Sequence, residues 1–348
     1  MKILHVLNSD RFSGAENVVC QIIEMFKSDT NIEMVYCSPD GSIRDMLKER
    51  EIVFAPVSKM TKKELKRVII EQKPDIIHAH DMRASFVAAR SCGKITLISH
   101  IHNNNFDSRG ISAKSIAFLY AAKKSEHIFW VSKSSYEGYV FHGFFKKKSS
   151  VLYNVINIEV LYEKMRQDEK KYDYDVIYVG RLTYPKNPQR LMNVFRLVVE
   201  KIPNVKIAVV GTGDLENDAK KLADSYGLLD NVHFLGFQSN PLKILHDSKV
   251  MVMASRWEGT PMCALETMAL GVPIVSTPVD GLKDLIVNDE NGFLSDEDEV
   301  MADKIISYIN TPTKRKEMSD KQMFFAKEWN DINKYKQKLF NVYREIKK

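Results

Sequence analysis

Short apolar runs alternate with longer amphipathic segments along most of the chain. Segments of ten or more residues with a helical pattern, such as the one from about residue 15 to 27, separate most of these runs. This alternation predicts a parallel sheet with helices on both faces. The apolar runs of the first half, each with the length of a buried strand, lie near residues 2–7, 32–36, 53–56, 75–79, 96–101 and 127–131.

The same alternation starts again after a polar, charged segment at residues 159–174, whose composition is typical of a linker. We therefore predict two α/β domains, at residues 1–165 and 170–328. Strands of the second domain are predicted near residues 175–180, 205–210, 232–235 and 250–255. Helices are predicted at residues 188–201, 262–270, 296–309, 314–329 and 331–348.

Composition fits this organisation, because 348 residues are enough for two domains that each have a core. The hydrophobic content of 44% and charged content of 28% are ordinary for a soluble globular protein. No stretch approaches the ~20 apolar residues of a membrane span, and the first apolar run is too short for a signal peptide. The cysteines lack metal-binding spacing, which favours reduced thiols in a cytoplasm: Cys20, Cys37, Cys92 and Cys263.

The positive charge lies in the first half of the chain. Residues 1–165 contain 24 Lys and Arg against 18 Asp and Glu, and the remainder is neutral. The segment FHGFFKKK at residues 141–148 interleaves aromatic and basic side chains, with further lysines at 59–67 and 123–124. Such a segment is usually a solvated face, and the alternative is a patch that binds anionic lipid headgroups. No nucleic-acid module accompanies it, so no nucleic-acid partner is expected.

Two carboxylates mark the stretch at residues 256–270. Glu258 lies in a predicted turn and Glu266 inside the apolar helix that follows, where an unpartnered charge is costly. With Thr260 as N-cap and Pro261 as first helical residue, the helix start would offer free N–H groups to a phosphate. Glu266 would then lie beside a sugar hydroxyl pair attached to that phosphate. The alternative is a glutamate on the solvent side of the helix.

The spacing of these carboxylates argues against glycoside hydrolysis. Eight helical positions would separate Glu258 from Glu266 by about 12 Å. Glycoside hydrolases keep their two carboxyl groups roughly 5 to 9.5 Å apart. The pair therefore fits two contacts with one extended ligand better than an acid and a base at one bond.

Two cations follow the predicted strand at 175–180. Arg181 and Lys186 lie five residues apart in the loop before a helix start, an arrangement that suits a diphosphate. Gly211 and Gly213 provide only the first two glycines of a dinucleotide fingerprint, so they support an oxidoreductase weakly.

In the first half, His102 follows the strand at 96–101, at the edge where open α/β sheets place their ligands. A loop histidine without a functional role is an equal alternative. Gly14 lies in the loop after the first strand, which is either an anion cradle or a plain turn. Ser132 is equally an N-cap and a candidate ligand contact.

Three segments resemble those of the family 4 retaining glycosyltransferases: RLTYPKNP at 181–188, GTGDL at 211–215 and EGTPMCALE at 258–266. SGAE at 13–16 and His102 also fall where that family has its first-domain loop and active-site histidine, so the resemblance covers essentially the whole chain. It implies the GT-B fold, in which two Rossmann-like α/β domains face each other. It also implies that the helix at 331–348 returns to the first domain.

For the donor, the resemblance implies that Arg181 and Lys186 bind the diphosphate and that Glu266 binds the ribose hydroxyls. Gly211 and Gly213 would belong to the same donor site, and Gly14 would face the diphosphate from the first domain.

For the transferred sugar, the resemblance implies a role for Glu258 together with the backbone amides of Gly259, Thr260 and Met262. His102 would lie at the reacting sugar. Met262 and the segment at 279–284 depart from the pattern of many relatives, which leaves contacts near Asp280 open. In this family no metal and no cofactor is needed.

The expected function is a retaining, metal-independent hexosyl- or N-acetylhexosaminyltransferase. It would use a nucleoside-diphosphate sugar and a saccharide or polyprenyl-linked acceptor in polysaccharide or glycoconjugate assembly. We expect it in the cytoplasm, or peripherally on the inner face of the cell membrane. Two alternatives are a sugar-nucleotide epimerase of the same architecture and a non-catalytic scaffold subunit. The presence of both glutamates, both cations and His102 argues against the scaffold.

Overall fold

The computed structural model describes residues 1–103 and 106–347. Asn104, Asn105 and Lys348, of which the first two follow His102 in the predicted loop, lie outside the described residues. The chain divides into two compact units, Met1–Asn154 with Ile332–Lys348, and Val155–Asp331.

Strand formation follows the apolar runs. The strands, in chain order, are β1 (Lys2–Val6), β2 (Glu33–Cys37), β3 (Ile76–His80), β4 (Thr96–Ile101), β5 (His127–Trp130), β6 (Ser149–Val151), β7 (Val176–Val179), β8 (Ile207–Val210), β9 (Val232–Gly236), β10 (Val250–Met253), β11 (Ile274–Ser276) and β12 (Phe293–Leu294).

Helices fill most of the intervening segments. They are α1 (Gly14–Phe26), α2 (Ile43–Glu49), α3 (Lys62–Gln72), α4 (Asp81–Ser91), α5 (Ala113–Lys124), α6 (Lys133–Glu137), α7 (Ile158–Arg166), α8 (Pro188–Lys201), α9 (Glu216–Ser225), α10 (Leu242–Asp247), α11 (Met262–Ala269), α12 (Asp280–Leu285), α13 (Asp298–Asn310), α14 (Pro312–Trp329) and α15 (Ile332–Ile346). Among the helices of the described ranges, none is both long enough and apolar enough to span a bilayer.

Each unit contains one six-stranded sheet. The strand order is β2-β1-β3-β4-β5-β6 in the first unit and β12-β11-β10-β7-β8-β9 in the second. The paired strands are parallel. Helices cover both faces of each sheet, so the predicted α/β fold class is confirmed. Parallel strands are buried on both sides, which is why they could be found as continuous apolar runs.

The two faces of the first sheet differ in chemistry. One face packs against α4 and α5 through an apolar cluster that includes Leu4, Ile77 and Leu97. The opposite face carries histidines and contacts α15, whose Tyr343 hydroxyl lies 2.8 Å from His78 Nδ1. The helix predicted at 331–348 is therefore part of the first unit.

The segment predicted as a linker contains a helix. In α7 the side chains of Leu161 and Met165 are buried, and the Tyr162 hydroxyl donates a hydrogen bond of 2.8 Å to the Ala269 carbonyl. Residues 155–165 consequently belong to the second unit, although the sequence assigned them to the first.

Other boundaries differ by little. Residues 53–56 form isolated bridges, such as Tyr36 with Phe54, instead of the predicted strand. Helix α11 begins at Met262 with Pro261 as its N-cap, one residue later than predicted from Thr260. The short strands β6, β11 and β12 were not predicted.

Candidate functional site

The loop after β7 carries both predicted cations. Arg181 is exposed, and Lys186 ends a short 3-10 turn at Tyr184–Lys186 with its side chain largely buried. The backbone of this loop continues the sheet, since the Leu182 amide donates to the Thr212 carbonyl over 3.0 Å. The Tyr178 hydroxyl donates to the Arg181 carbonyl over 2.9 Å. These bonds fix where the loop leaves the sheet.

Gly211 and Gly213 hold the neighbouring loop against this one. A Cβ added at Gly213 would lie 2.1 Å from the Leu182 carbonyl oxygen, and one at Gly211 would lie 2.0 Å from the Gly180 carbonyl oxygen. Gly211 also has a φ angle of +128°, a backbone conformation that residues with a side chain rarely adopt. Close backbone packing under Arg181 therefore explains both glycines without any ligand contact.

Glu258 and Lys186 form a buried ion pair. Their Oε1 and Nζ atoms are 2.5 Å apart, and the side chains are 8% and 16% exposed. Ser255 Oγ donates to the same carboxylate over 2.6 Å, and the Glu258 amide donates to Asp280 Oδ2 over 3.3 Å. Burial lowers the pKa of Lys186, but the Glu258 carboxylate outweighs burial and the net shift is upward. The lysine therefore stays charged at neutral pH.

Glu266 lies partly buried on α11. Burial raises the pKa of its carboxyl to about 7, against a smaller opposing effect of Lys164. Within the described ranges its carboxylate accepts no hydrogen bond from another residue. Of the two interpretations of Glu266, the partly buried carboxylate without a polar partner fits the structure better than the glutamate on the solvent side of the helix.

Cys263 lies among these charges. Burial raises the pKa of its thiol to about 12, with Lys186 opposing and Glu258 and Glu266 adding to the shift. Arg181 in turn acts on the pKa of Lys186. Lys186 and Glu258 thus lie in contact after the paired strands β7 and β10, and Glu266 follows about one helical turn beyond Cys263 on α11. Sequence reasoning missed Cys263, which carried no signal of its own.

The turn before α11 is also buried. Gly259, Thr260 and Met262 have little exposure, and they lie between Glu258 and the first turn of the helix. Asp280, where the resemblance left contacts open, accepts the Glu258 amide and has φ 38°. It supports the turn that carries Glu258.

In the first unit, Gly14 begins α1 with open space around its Cα, and Ser13 Oγ donates to Glu16 Oε2 over 2.5 Å. His102 is buried, with its amide donating to Asp81 Oδ1 over 2.9 Å. Burial lowers the pKa of His102 to about 3, so its imidazole is neutral at physiological pH. Ser132 accepts the Ser135 amide in a capping box, which confirms its N-cap interpretation.

His102 belongs to a larger histidine set that sequence reasoning missed. The members share one face of the first sheet and are all buried: His5, His78, His80, His100 and His102. The signal was present in the sequence, because His78 and His80, and likewise His100 and His102, are two residues apart, the spacing that places side chains on one face of a strand. Each predicted strand ended one residue before its second histidine.

A cavity of ≈ 310 Å³ in the second unit lies away from these residues, beside Gly271 and Arg315. A larger one, of ≈ 460 Å³, lies in the first unit at the carboxyl ends of β1 and β3. Its lining includes Leu7, Glu16, His80, Asp81 and Phe86.

Two family models match the chain. The one described as glycosyl transferases group 1 matches residues 162–322, and the one described as glycosyltransferase family 4 matches residues 12–160. An uncharacterized glycosyltransferase of Methanocaldococcus jannaschii is 32% identical over 242 residues, which are 64% of this chain and 59% of the relative. The chain thus spans less than two thirds of that relative.

A second relative and a solved structure match nearly the full chain. The UDP-Gal:alpha-D-GlcNAc-diphosphoundecaprenol alpha-1,3-galactosyltransferase of Escherichia coli is 25% identical over 339 residues, 89% of this chain and 86% of the relative. The crystal structure of Anabaena HepE in complex with UDP-glucose has a TM-score of 0.85 at 21% identity, covering 99% of this chain and 100% of that one. The likeness to HepE concerns the fold.

Proposed function

Because the chain belongs to the family 4 glycosyltransferases of the GT-B fold, we propose that it moves a sugar from a nucleoside-diphosphate sugar to a saccharide or polyprenyl-linked acceptor. The transfer would serve polysaccharide or glycoconjugate assembly. The observation that carries the proposal is the buried ion pair of Lys186 with Glu258 at the carboxyl ends of β7 and β10. Arg181 lies in the same loop as Lys186, and Glu266 lies on α11, the helix that follows Glu258.

The side chains of this group suit the parts of a sugar nucleotide. Arg181 is exposed and can form two parallel hydrogen bonds with a phosphate, whereas Lys186 provides a point charge. Glu266, once ionised, can accept hydrogen bonds from a ribose hydroxyl pair. In this proposal Glu258 turns from Lys186 to the hydroxyls of the transferred sugar, and the diphosphate takes its place as the partner of the lysine.

The proposed reaction breaks the bond between the anomeric carbon and the β-phosphate oxygen and forms one between that carbon and an acceptor oxygen. The acceptor proton goes to the departing phosphate. Arg181, Lys186 and the amino end of α11 stabilise the charge that builds on the diphosphate. Because these fixed charges do what a metal would otherwise do, we propose that transfer is metal-independent. Since the departing phosphate takes the acceptor proton, the acceptor lies on the face that the phosphate leaves, and we propose that the anomeric configuration is retained.

From the first unit we propose the roles that the resemblance gives to Gly14 and His102. The small Gly14 leaves the first amides of α1 open to a phosphate. His102 is neutral, so it would act at the reacting sugar as a hydrogen-bonding group and not as a cation.

The test is acceptor-dependent release of nucleoside diphosphate, with UDP-, GDP- and ADP-sugars as donors. We expect Arg181→Ala and Glu266→Ala each to reduce release at least 100-fold while the circular dichroism spectrum is kept. Arg196→Ala and Glu200→Ala, which remove an exposed pair on α8, serve as matched controls and should leave the rate unchanged. Undiminished release in either site variant contradicts the proposal.

Three further readouts separate the finer claims. Added Mg²⁺ or Mn²⁺ should leave the rate unchanged, and NMR of the product should show the anomeric configuration of the donor. An altered nucleotide sugar without release of nucleoside diphosphate would instead indicate an epimerase. A nucleotide at 100 times its dissociation constant stabilises the protein by about 2.7 kcal/mol, so thermal shift can rank the donor bases.

We also propose that the first unit contacts an anionic membrane surface, through part of the predicted basic-aromatic segment together with Phe106 and Ile111, which lie outside it. Within that segment Phe145 is part of the apolar cluster and Phe141 packs against it. Phe144 is 80% exposed, and Phe106 and Ile111 are 68% and 77% exposed.

These exposed residues lie on segments that pack together. The Val140 amide donates to the Ser108 carbonyl over 3.0 Å, and the Tyr139 hydroxyl donates to the Ser115 carbonyl over 2.9 Å. Exposed lysines accompany them at positions 114, 123, 146 and 147. Apolar side chains surrounded by lysines suit an interface with anionic headgroups.

Vesicle co-sedimentation tests this surface. We expect binding to vesicles that contain anionic phosphatidylglycerol, and loss of binding when Phe106, Ile111 and Phe144 are all replaced by serine. Phe237→Ser with Phe324→Ser removes two similarly exposed rings of the second unit and should keep binding. Equal sedimentation with neutral phosphatidylcholine, or with the triple variant, contradicts this role.

A further inference from the structure

Histidines replace the apolar side chains that the inner strands of a parallel sheet usually carry. In the first sheet His5 of β1 is in register with His78 of β3, and His80 is in register with His100 of β4. The rings stack on one another, as the 4.5 Å between the centroids of His78 and His80 shows. All are buried, so their ring nitrogens must find partners within the first unit.

Three of these rings converge. One nitrogen each of His5, His78 and His80 lie within 4.8 Å of one another. His5 Nδ1 and His80 Nε2 are 3.0 Å apart. Around a tetrahedral zinc ion with Zn–N distances of about 2.0–2.1 Å, neighbouring nitrogens are about 3.3 Å apart. The pair of His5 and His80 is close to that spacing, and the nitrogen of His78, within 4.8 Å of both, would have to approach them for all three to bind one ion.

The outer nitrogens of two of these rings already have partners. His78 Nδ1 lies 2.8 Å from the Tyr343 hydroxyl, and His80 Nδ1 lies 2.8 Å from His102 Nε2. The Nε2 atoms of His78 and His5 have no hydrogen-bond partner among the described residues. His78 and His80 are therefore oriented as metal-binding histidines are, with one nitrogen available to the ion and the other hydrogen-bonded to a neighbour outside the trio. His5 is oriented by its contact with His80.

We propose that His5, His78 and His80 bind one divalent transition-metal ion, with zinc as the best match, inside the first unit. Imidazole nitrogens suit zinc, cobalt, nickel or copper, whereas Mg²⁺ and Ca²⁺ prefer oxygen ligands. His80 borders the ≈ 460 Å³ cavity, which offers the ion a route of access and space for a water molecule as fourth ligand.

A neighbouring trio fits less well. His80, His100 and His102 also have nitrogens within 4.8 Å of one another. Neither nitrogen of His100 has a hydrogen-bond partner among the described residues, so no neighbour orients its ring toward an ion. In the first trio Tyr343 and His102 provide that orientation.

Binding would also set a proton position. With the ion on His80 Nε2, the proton of His80 is on Nδ1 and is donated to His102 Nε2. His102 then carries its own proton on Nδ1. This consequence rests on the proposed function, in which His102 lies at the reacting sugar, but metal binding itself does not.

The test is zinc titration of the full chain after treatment with a chelator. We expect one equivalent of Zn²⁺ by elemental analysis, not displaced by millimolar Mg²⁺, together with a rise in melting temperature. His5→Gln and His78→Gln should each weaken Zn²⁺ binding at least 10-fold. His127→Gln on β5 and His233→Gln on β9 are matched controls that should bind as the wild type does.

Absence of stoichiometric zinc overturns the proposal. So does loss of zinc in His100→Gln with retention in His5→Gln, which would place the ion in the neighbouring trio. If the variants fail to fold, X-ray absorption of the zinc-loaded wild type decides, because fewer than three imidazole ligands contradicts the site. None of these readouts uses a sugar nucleotide, so failure here and failure of the proposed transferase remain distinguishable.

Discussion

At the scale of single residues, breaking the ion pair between Lys186 and Glu258 should lower the free energy of unfolding more than breaking an exposed pair would. The two atoms are 2.5 Å apart in a largely buried setting, with Ser255 completing the hydrogen bonds of the carboxylate. Removing one partner of a buried pair leaves an uncompensated charge, which costs about 3–5 kcal/mol.

We therefore expect Lys186→Met to lower the free energy of unfolding by about 3 kcal/mol, near the lower end of that range because the lysine keeps some exposure. Urea denaturation measures it. The double variant Lys186→Met with Glu258→Gln should recover most of the loss, since no unpaired charge remains.

The control is Lys220→Met, which breaks the exposed pair with Glu216 on α9 and should cost no more than about 0.5 kcal/mol. Equal losses for Lys186→Met and Lys220→Met would mean that the pair is effectively solvated.

The pH dependence of stability follows from Glu266. Its pKa is raised to about 7 from an ordinary 4.5 because burial disfavours the charged form. A raised folded-state pKa gives a contribution to stability that is fully present below about pH 4.5 and is lost as the pH rises through about 7. We expect the wild type to lose stability relative to Glu266→Gln between pH 5 and 8, measured by urea unfolding at several pH values.

The matched control is Glu200→Gln, an exposed carboxylate of the same unit, for which the difference from the wild type should be flat over that range. A flat difference for Glu266→Gln as well would contradict the burial of Glu266.

At the scale of elements, the two loops after β7 and β8 act as one support for Arg181. We expect Gly213→Ala to destabilise the protein by about 1–3 kcal/mol, because the added methyl would lie 2.1 Å from the Leu182 carbonyl and one loop must move. Movement of the Leu182 backbone displaces the neighbouring Arg181, so the dissociation constant for the nucleoside diphosphate that thermal shift ranks first should rise as well. Urea denaturation and calorimetric titration measure the two effects.

Gly143→Ala is the control, since nothing lies within 4 Å of its added Cβ. An unchanged affinity of Gly213→Ala for that nucleoside diphosphate would show that the glycine does not support Arg181.

Elements with a continuous apolar pattern could be predicted, and those fixed by distant partners could not. The predicted helix at 188–201 matches α8, whose buried Leu191, Phe195 and Val198 repeat at helical spacing. Residues 53–56 have the apolar composition of a strand, but the structure gives this segment an isolated bridge, between Phe54 and Tyr36, and no strand. In α7 the apolar pair Leu161 and Met165 was hidden among charges that face solvent.

The same distinction applies to the site. Loop positions after strands could be predicted, because the ends of parallel strands share one edge of the sheet. The pairing of Lys186 with Glu258 joins residues 72 positions apart, so local patterns could not indicate it. The face shared by His78, His80 and His100 was predictable from the period of two, whereas the contact of His78 with Tyr343 of α15 was not.

At the scale of the whole molecule, one unit is formed by a continuous stretch of the sequence and the other is not. The second unit is the continuous segment Val155–Asp331, which contains Arg181, Lys186, Glu258 and Glu266. The first unit is discontinuous, because it includes α15. In that helix Tyr335, Leu339 and Tyr343 are buried, and the Tyr343 ring contacts Phe26 of α1.

We expect a fragment of residues 155–331 to unfold cooperatively and to bind the nucleoside diphosphate that thermal shift ranks first within about 10-fold of the affinity of the full chain. A fragment of residues 1–154 should be unstable, because each large apolar side chain that loses its burial costs about 1.5–3 kcal/mol. Three such losses approach the 5–15 kcal/mol that typically stabilises a whole domain. Urea unfolding and calorimetric titration of the fragments test this.

Adding residues 332–348 to the first fragment as a separate peptide is the decisive control. Since Tyr343 and Lys336 contact His78 and Asp29 directly, the peptide should restore cooperative unfolding of 1–154, whereas a peptide with Tyr343→Ala and Leu339→Ala should not. A first fragment that is fully stable alone would mean that α15 is dispensable to its unit. Failure of the 155–331 fragment to bind that nucleoside diphosphate would mean that its cations and carboxylates do not suffice for the donor.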